Sequence, residues 1–178
     1  MDINQQTDLV TAGQRIFLLG FMGTGKSHWG KQWADAHKMS FIDIDELIEK
    51  AEGQTVVDIF EKAGEEYFRV KEASILRDQR LQQNCIISCG GGAPCFYDNM
   101  EWMNENGITI YLSASPSYIL KNVMEEKEKR PLIKNVNEAE LLFFIEQKLK
   151  ERKPFYSKAK LEFDAETLRV DSLKAILP

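Results

Sequence analysis

Residues 20–27 carry the clearest chemical signal in the chain. Their sequence, Gly-Phe-Met-Gly-Thr-Gly-Lys-Ser, fits the G-x-x-x-x-G-K-[ST] pattern of a loop that binds nucleotide phosphates. Glycines let backbone N–H groups close around phosphate oxygens, and the helix that follows adds the positive end of its dipole. Lys26 would supply a charge for the β- and γ-phosphates, and Ser27 a hydroxyl for Mg²⁺. A chance match is the alternative, and the strand and helix predicted on either side argue against it.

Two carboxylates stand at the end of the apolar run at residues 41–45. If this run is a strand, Asp43 and Asp45 project from the same side of it. One of them would then serve the Mg²⁺ shell, and the other would meet the hydroxyl that attacks phosphorus. The simpler alternative is that Asp45 caps a helix that begins at Glu46.

Two arginines are candidates for binding an acidic substrate. Arg69 lies three residues before Glu72 on a predicted helix, so Glu72 could orient its guanidinium; an exposed pair of little energetic weight is the alternative. Arg152 lies near the predicted end of a long helix, where binding the last carbonyls is its alternative role.

Three consecutive glycines and a charged run complete the candidate site. Gly90, Gly91 and Gly92 follow a buried apolar run, and because such a triplet costs chain entropy it predicts that a ligand approaches the backbone closely. Residues 125–132 form a charged run that ends in Arg-Pro-Leu. We expect either a solvated loop or a lid that brings Arg130 to the transferring phosphate and excludes water.

These residues must be positioned by alternating strands and helices. Apolar runs predict strands at residues 16–20, 41–45, 86–90, 109–113 and 161–165, and helical spacing predicts helices at 27–37, 56–63, 65–83, 118–124 and 138–152. Such alternation is typical of a parallel sheet that is covered by helices on both faces. Ligands of these sheets bind beyond the carboxyl ends of the strands, where the candidate residues stand.

The composition narrows the class of protein. With 178 residues, one domain is expected, and a net charge of −5 disfavours a nucleic-acid partner. We find neither an apolar run long enough for a membrane span nor the pattern of a signal peptide. Cys85, Cys89 and Cys95 lack metal or disulfide spacing and are predicted to be thiols, which favours a cytoplasmic location.

Taken together, these motifs resemble those of the shikimate kinase family, in the same order, over about residues 15–170. Each motif alone is weak evidence for the family, whereas six motifs in the same order are strong evidence. The six are the loop at 20–27, Asp43 with Asp45, Phe68-Arg69 with Glu72, the Gly90, Gly91 and Gly92 triplet, Arg130-Pro131-Leu132, and Arg152 with Tyr156.

The resemblance implies a fold and an activity. The fold would be a three-layer α/β/α domain like the nucleoside monophosphate kinases, with five parallel strands in the order 2-3-1-4-5. Residues 1–178 would form a single domain, with a core from about 15, a substrate-binding segment at about 46–75 and a lid at about 122–137. The activity would be transfer of the ATP γ-phosphate to the 3-hydroxyl of shikimate by a monomer, in aromatic amino-acid biosynthesis.

The resemblance also assigns roles to single residues. Those implied to be catalytic are Lys26, Asp45 and Arg130. Those implied to bind ATP are Gly23, Thr24, Gly25, Lys26, Ser27, His28, Arg130 and Arg169, and those for Mg²⁺ are Ser27 and Asp43. Those implied to bind shikimate are Asp45, Arg69, Gly90, Gly91, Gly92 and Arg152.

The chain departs from the family pattern in three places. His28 replaces the usual threonine, Ser88-Cys89 replaces Ala-Thr, and Val123 stands where an arginine often stacks on adenine. Two alternative functions remain at this stage. One is a kinase of the same fold that acts on another hydroxy acid, such as gluconate, and the other is a non-catalytic nucleotide switch.

Overall fold

The computed structural model describes residues 14–125 and 137–177, in which strands and helices alternate. The strands are β1 (Arg15–Leu19), β2 (Ser40–Asp43), β3 (Cys85–Ser88), β4 (Ile108–Ser113) and β5 (Leu161–Asp164). The helices are α1 (Lys26–His37), α2 (Ile44–Glu52), α3 (Val56–Asp78), α4 (Asn99–Asn106), α5 (Pro116–Glu125) and α6 (Glu138–Tyr156). Short 3₁₀ turns lie at Gln79–Leu81, Ala93–Cys95 and Val170–Ala175.

The five strands form one parallel sheet in the order β2-β3-β1-β4-β5. Both the parallel arrangement and this strand order are as predicted. The order places β1 at the centre, where each strand face is covered and apolar side chains are buried on both sides. The segments that follow β1, β2 and β3 therefore emerge next to one another at one edge of the sheet.

Side chains alternate along β1 and so contribute to two cores. Phe17 and Leu19 pack with residues of α2, α3 and α4 on one face. Ile16 and Leu18 pack with Trp33 of α1 on the other. A third cluster joins α5 and α6 to Phe21 of the loop after β1. Because the four apolar side chains of β1 are fully buried, this strand fixes where the phosphate-binding loop begins.

The sequence-based bounds were wrong at β2. The strand ends at Asp43 rather than Asp45, and α2 begins at Ile44. Asp43 is the N-cap of this helix, because its Oδ1 accepts the Asp45 N–H at 3.1 Å. Asp45 thus lies in the first helical turn and is neither a strand residue nor the cap.

Two helices also differ from expectation. The helix α4 was not predicted at all, and α6 continues past Arg152 to Tyr156, although Pro154 lies in its last turn. The predicted break in α3 is confirmed, because Gly64 has non-helical torsion angles (φ 83°, ψ 169°). Among the helices of residues 14–125 and 137–177, none has the length and hydrophobicity needed to cross a bilayer.

Candidate active site

The phosphate-binding loop connects the end of β1 to α1 through three glycines with positive φ. These are Gly20 (φ 145°), Gly23 (φ 80°) and Gly25 (φ 84°), torsion angles that side chains disfavour. The loop is closed by Thr24, whose buried hydroxyl donates to the Phe21 carbonyl at 2.8 Å. This backbone has the form that the sequence motif predicts.

Lys26 reaches back over this loop from the first turn of α1. Its Nζ donates to the carbonyls of Gly20 at 2.8 Å and Phe21 at 2.9 Å. Burial lowers the pKa of Lys26 to about 8, and the nearby carboxylates of Asp45 and Asp43 oppose this shift. The ammonium group therefore stays mainly charged at neutral pH, as binding of phosphate requires.

Ser27 and Asp43 form the oxygen pair that was predicted to serve Mg²⁺. Ser27 Oγ donates to Asp43 Oδ2 at 2.7 Å, so the hydroxyl and the carboxylate lie next to each other. Oxygen ligands suit Mg²⁺, which often binds through one or two protein groups plus phosphates and water. The described residues contain no cluster of three or more His, Cys, Asp or Glu that could hold a metal ion.

Asp45, in the first turn of α2, has a carboxylate oxygen that no described residue binds. Its Oδ1 is buried and has no hydrogen-bond partner among the described residues. Burial and the charge of Asp43 together raise the pKa of Asp45 to about 6, against the opposing charges of Lys26 and Arg69. The carboxylate is therefore mainly ionised at pH 7 and can accept a hydrogen bond from a substrate hydroxyl.

Arg69 and Glu72 form a buried ion pair on α3. The Arg69 Nη1 donates to Glu72 Oε2 at 2.7 Å, and the two side chains are 7% and 0% exposed. The alternative of an exposed pair is therefore wrong. The Arg69 guanidinium also contacts Glu65 at 3.0 Å and lies over the ring of Phe96. These contacts fix the orientation of the arginine.

Glu72 holds Arg69 with one oxygen only. Its Oε1 is buried and, within the described residues, has no hydrogen-bond partner. Burial raises the pKa of Glu72 to about 7, and the attraction of Arg69 opposes that rise.

Gly90, Gly91 and Gly92, called the glycine turn below, follow β3 and lie between these groups. A side chain at Gly90 would collide with Glu72 and lie 3.2 Å from Asp45 Oδ1. A side chain at Gly92 would collide with the Arg69 guanidinium. The triplet was predicted to admit a ligand to the backbone, but at these two positions the space is filled by side chains of the site itself.

Arg152 approaches the glycine turn from α6. Its Nη1 would lie 3.3 Å from a Cβ atom at Gly91, and its guanidinium stands over the Phe21 ring at 5.2 Å. Because α6 continues for another turn, the expected position of Arg152 at the helix end is wrong. The structure thus brings both predicted carboxylate-binding arginines to one turn, beside Asp45.

Other predicted residues lie further out or outside the described residues. His28 is exposed on α1, with its Nε2 at 2.8 Å from the side-chain nitrogen of Gln32. Arg169 is also exposed, and its carbonyl accepts from Trp33 Nε1 at 2.9 Å. Arg130 and residues 126–136 of the predicted lid lie outside the described residues.

Two contacts of the site escaped the sequence interpretation. Asn122 of α5 donates to the Gly23 carbonyl at 2.8 Å, and Tyr156 of α6 donates to the Gly91 carbonyl at 2.6 Å. Val123, which replaces an arginine of the family pattern, is fully buried against Gly23. No periodicity or motif spacing could have shown that the Asn122 side chain contacts Gly23. Tyr156 was part of the motif with Arg152, but the sequence interpretation assigned no role to the tyrosine itself.

Comparisons with known proteins agree with this geometry. The family model described as "Shikimate kinase" matches residues 22–176. The shikimate kinase of Parabacteroides distasonis is 43% identical over 159 residues, which cover 89% of this chain and 92% of that protein.

Solved structures give the same relationship. The crystal structure of shikimate kinase from Bacteroides thetaiotaomicron has a TM-score of 0.86 and 40% identity, covering 93% of this chain and 95% of that one. The shikimate kinase from Acinetobacter baumannii in complex with shikimate has a TM-score of 0.78 and 29% identity, covering 97% and 92%.

Proposed function

The chain belongs to the shikimate kinase family and phosphorylates shikimate with ATP, and we propose that the residues around the glycine turn divide this reaction between them. The enzyme is a phosphotransferase of aromatic amino-acid biosynthesis. The proposal concerns which side chains bind shikimate, which bind ATP, and which one receives the proton of the 3-hydroxyl.

One observation supports this division most directly. The unpartnered Oδ1 of Asp45 and the guanidinium groups of Arg69 and Arg152 all border the glycine turn. A hydroxy acid could therefore be held by its carboxylate at the arginines while a hydroxyl meets Asp45. The phosphate-binding loop is also close to Asp45, because the charge of Asp45 raises the pKa of Lys26 against the effect of burial.

We assign the carboxylate of shikimate to Arg69 and Arg152. Guanidinium groups bind carboxylates through two parallel hydrogen bonds, and Glu72 and Glu65 keep Arg69 oriented for this. The N–H groups of the glycine turn would add backbone contacts to the substrate.

Asp45 orients the attacking hydroxyl and accepts its proton. With a pKa of about 6 the carboxylate is ionised at neutral pH, so it accepts a hydrogen bond from the 3-hydroxyl. Because phosphoryl transfer has a loose transition state, early proton removal contributes little, and orientation is the larger part of this role.

The loop and α1 bind ATP. Gly23, Thr24 and Gly25 would contact the phosphates, and Lys26 would place its charge on the β- and γ-phosphates. Ser27 and Asp43 would hold Mg²⁺, which neutralises charge on the phosphate oxygens when it is bound. The further ATP contacts of His28, Arg130 and Arg169 remain predictions from the resemblance.

Domain division, assembly and location also remain proposals. We propose one domain in which residues 46–75 bind the substrate and residues 122–137 act as a lid, with a monomer as the active species. The thiol state of Cys85, Cys89 and Cys95 suits a cytoplasmic enzyme.

A coupled assay of ADP release tests the substrate. We expect turnover with shikimate and little with gluconate, quinate or AMP. A chain that binds ATP but releases no ADP with any of these compounds would instead be a nucleotide switch, and preference for gluconate would identify the other kinase.

The carboxylate assignment is tested with Arg152→Ala. Since one charge-assisted bond contributes about 1.5–3 kcal/mol, we expect the KM for shikimate to rise about 10- to 150-fold while the KM for ATP stays unchanged. Lys153→Ala, at the exposed neighbouring position, is the matched control. An unchanged shikimate KM in Arg152→Ala would refute the assignment.

A further inference from the structure

Tyr156 is a buried tyrosine in the last turn of α6, and its hydroxyl reaches the candidate site. The side chain is 1% exposed, and its ring stacks on Tyr111 of β4 with centroids 4.7 Å apart. Its hydroxyl donates to the Gly91 carbonyl at 2.6 Å. A buried hydroxyl with such a partner is held in one orientation by the stack and the bond together.

Tyr156 binds the one carbonyl of the glycine turn that has no partner among the described residues of the local 3₁₀ turn. The Gly90 carbonyl accepts the Ala93 N–H at 3.0 Å, and the Gly92 carbonyl accepts the Cys95 N–H at 2.9 Å, both within the local 3₁₀ turn. The Gly91 carbonyl is instead bound by Tyr156, 65 residues further along the chain. Since C=O and N–H of one planar peptide point in opposite directions, this bond also sets the direction of the Gly92 N–H.

Arg152 lies one helical turn earlier on α6, and its Nη1 would be 3.3 Å from a Cβ atom at Gly91, whose carbonyl Tyr156 binds. Burial raises the pKa of Tyr156 well above its usual value, while the nearby charge of Arg152 opposes the rise. Tyr156 therefore remains a protonated donor to Gly91. It can accept from the Arg152 guanidinium at the same time.

We propose that Tyr156 is a positioning residue for the substrate carboxylate. Its hydroxyl fixes the Gly91–Gly92 peptide and the Arg152 guanidinium relative to each other, so that a backbone N–H and a side-chain donor meet the same anionic group. The inference rests on the proposed function of this site, and it adds a residue to which that proposal gives no role.

The variant Tyr156→Phe tests the inference, because it keeps the ring and its stack but removes the hydroxyl. We expect the KM for shikimate to rise about three- to tenfold, as loss of one hydrogen bond does, with the KM for ATP within about twofold of wild type. Tyr111→Phe, which removes a hydroxyl from the other ring of the same stack, is the matched control and should leave both values unchanged.

A second measurement separates positioning from a loss of folded enzyme. The ratio of kcat/KM for shikimate to that for a decarboxylated analogue does not depend on the fraction of folded protein. In Tyr156→Phe this ratio should fall about three- to tenfold, because the analogue lacks the group that Tyr156 helps to bind. A ratio equal to that of Tyr111→Phe would overturn the inference.

The two proposals fail in different ways. Wild-type enzyme that releases no ADP with shikimate would contradict the assigned function. Active wild-type enzyme whose shikimate KM and analogue ratio are unaffected by Tyr156→Phe would contradict only the role of Tyr156.

Discussion

Two carboxylate oxygens, Asp45 Oδ1 and Glu72 Oε1, are buried at the glycine turn without a hydrogen-bond partner among the described residues. Burying a polar atom unpaired costs free energy, which a structural site would avoid by supplying a donor. Both oxygens face the position that a side chain at Gly90 would occupy. These two oxygens are therefore available to accept hydrogen bonds from the hydroxyl groups of a ligand.

Gly90→Ala and Gly92→Ala should each impair binding of shikimate. The new methyl group collides with Glu72 in the first variant and with Arg69 in the second, so the buried ion pair must move. Overpacking of about 1–3 kcal/mol corresponds to a roughly 5- to 150-fold fall in kcat/KM for shikimate, measured by steady-state kinetics. Gly91→Ala is the milder comparison, since its nearest neighbours lie at 3.3 Å. Equal kinetics for all three variants would contradict the packing argument.

Single residues show what sequence can and cannot predict about the site. Lys26, Ser27 and the loop glycines were predictable, because a contiguous motif fixes both their identity and their geometry. The glycine turn was predicted to matter, but its reason lies in Glu72 and Arg69, which are close only in the folded chain. Asp45 was placed on a strand because the alternation of residues 41–45 does not reveal that Asp43 accepts the Asp45 N–H.

At the scale of elements, helix ends and breaks position the arginines. The helix α3 contains a break at Gly64, five residues before Arg69, and nothing lies within 4 Å of where a Gly64 side chain would be. The glycine is therefore required by its torsion angles, which other residues rarely adopt, and not by crowding. The break sets the direction of the helical segment that carries Arg69 and Glu72.

Gly64→Ala should lower stability and weaken binding of shikimate together. The strained torsion angles cost about 1–3 kcal/mol in the free energy of unfolding, measured with urea. Relief of that strain would shift the second half of α3, so the KM for shikimate should rise as well. Gly53→Ala has a comparable positive φ (67°) and open surroundings at the end of α2, and should lower stability without changing KM. A normal KM in Gly64→Ala would show that the break does not position Arg69.

Some elements could not be predicted for physical reasons. The helix α4 follows Asp98, an N-cap residue whose backbone is left-handed (φ 54°) and whose side chain makes no capping bond, so the helix lacks the usual capping interaction at its start. Only Met100 and Met103 give it a buried apolar face beside Asn99. The predicted end of α6 at Arg152 was too early, because the helix accommodates Pro154 in its last turn although proline lacks the N–H that a helix interior needs. The strands and the longer helices, by contrast, followed from the periodicity of their apolar residues.

At the scale of the whole molecule, the sheet order brings distant motifs together. The strands β2, β3 and β1 are neighbours, so the segments that follow them, which carry Asp45, the glycine turn and Lys26, meet at one edge. The chain has a net charge of −5, yet Lys26, Arg69 and Arg152 border this edge. Cations concentrated in an acidic protein focus the field on the site where a triphosphate and a carboxylic acid must meet.

The buried carboxyl groups make stability depend on pH. The pKa values of Asp45 and Glu72 are raised from 3.8 and 4.5 to about 6 and about 7. Between about pH 4 and 7 the folded chain therefore binds more protons than the unfolded chain, so the free energy of unfolding falls as pH rises. Lys26 affects stability at higher pH, because its pKa is lowered from 10.5 to about 8. Between these two values the unfolded chain binds more protons at this residue, so its contribution to the free energy of unfolding rises with pH.

Urea unfolding of Glu72→Gln at pH 5 and pH 7.5 measures this dependence. Wild type should lose stability between the two pH values, and the variant should lose less, by about 1–3 kcal/mol, because a neutral amide has no ionisation to suppress. Glu101→Gln is the control: Lys158 lowers the pKa of this half-exposed carboxyl, so it is ionised at both pH values and its removal leaves the difference unchanged. If Glu72→Gln and wild type lost equal stability, Glu72 would have to be ionised in the folded protein at pH 5, and the open acceptor at the glycine turn would carry a full charge throughout.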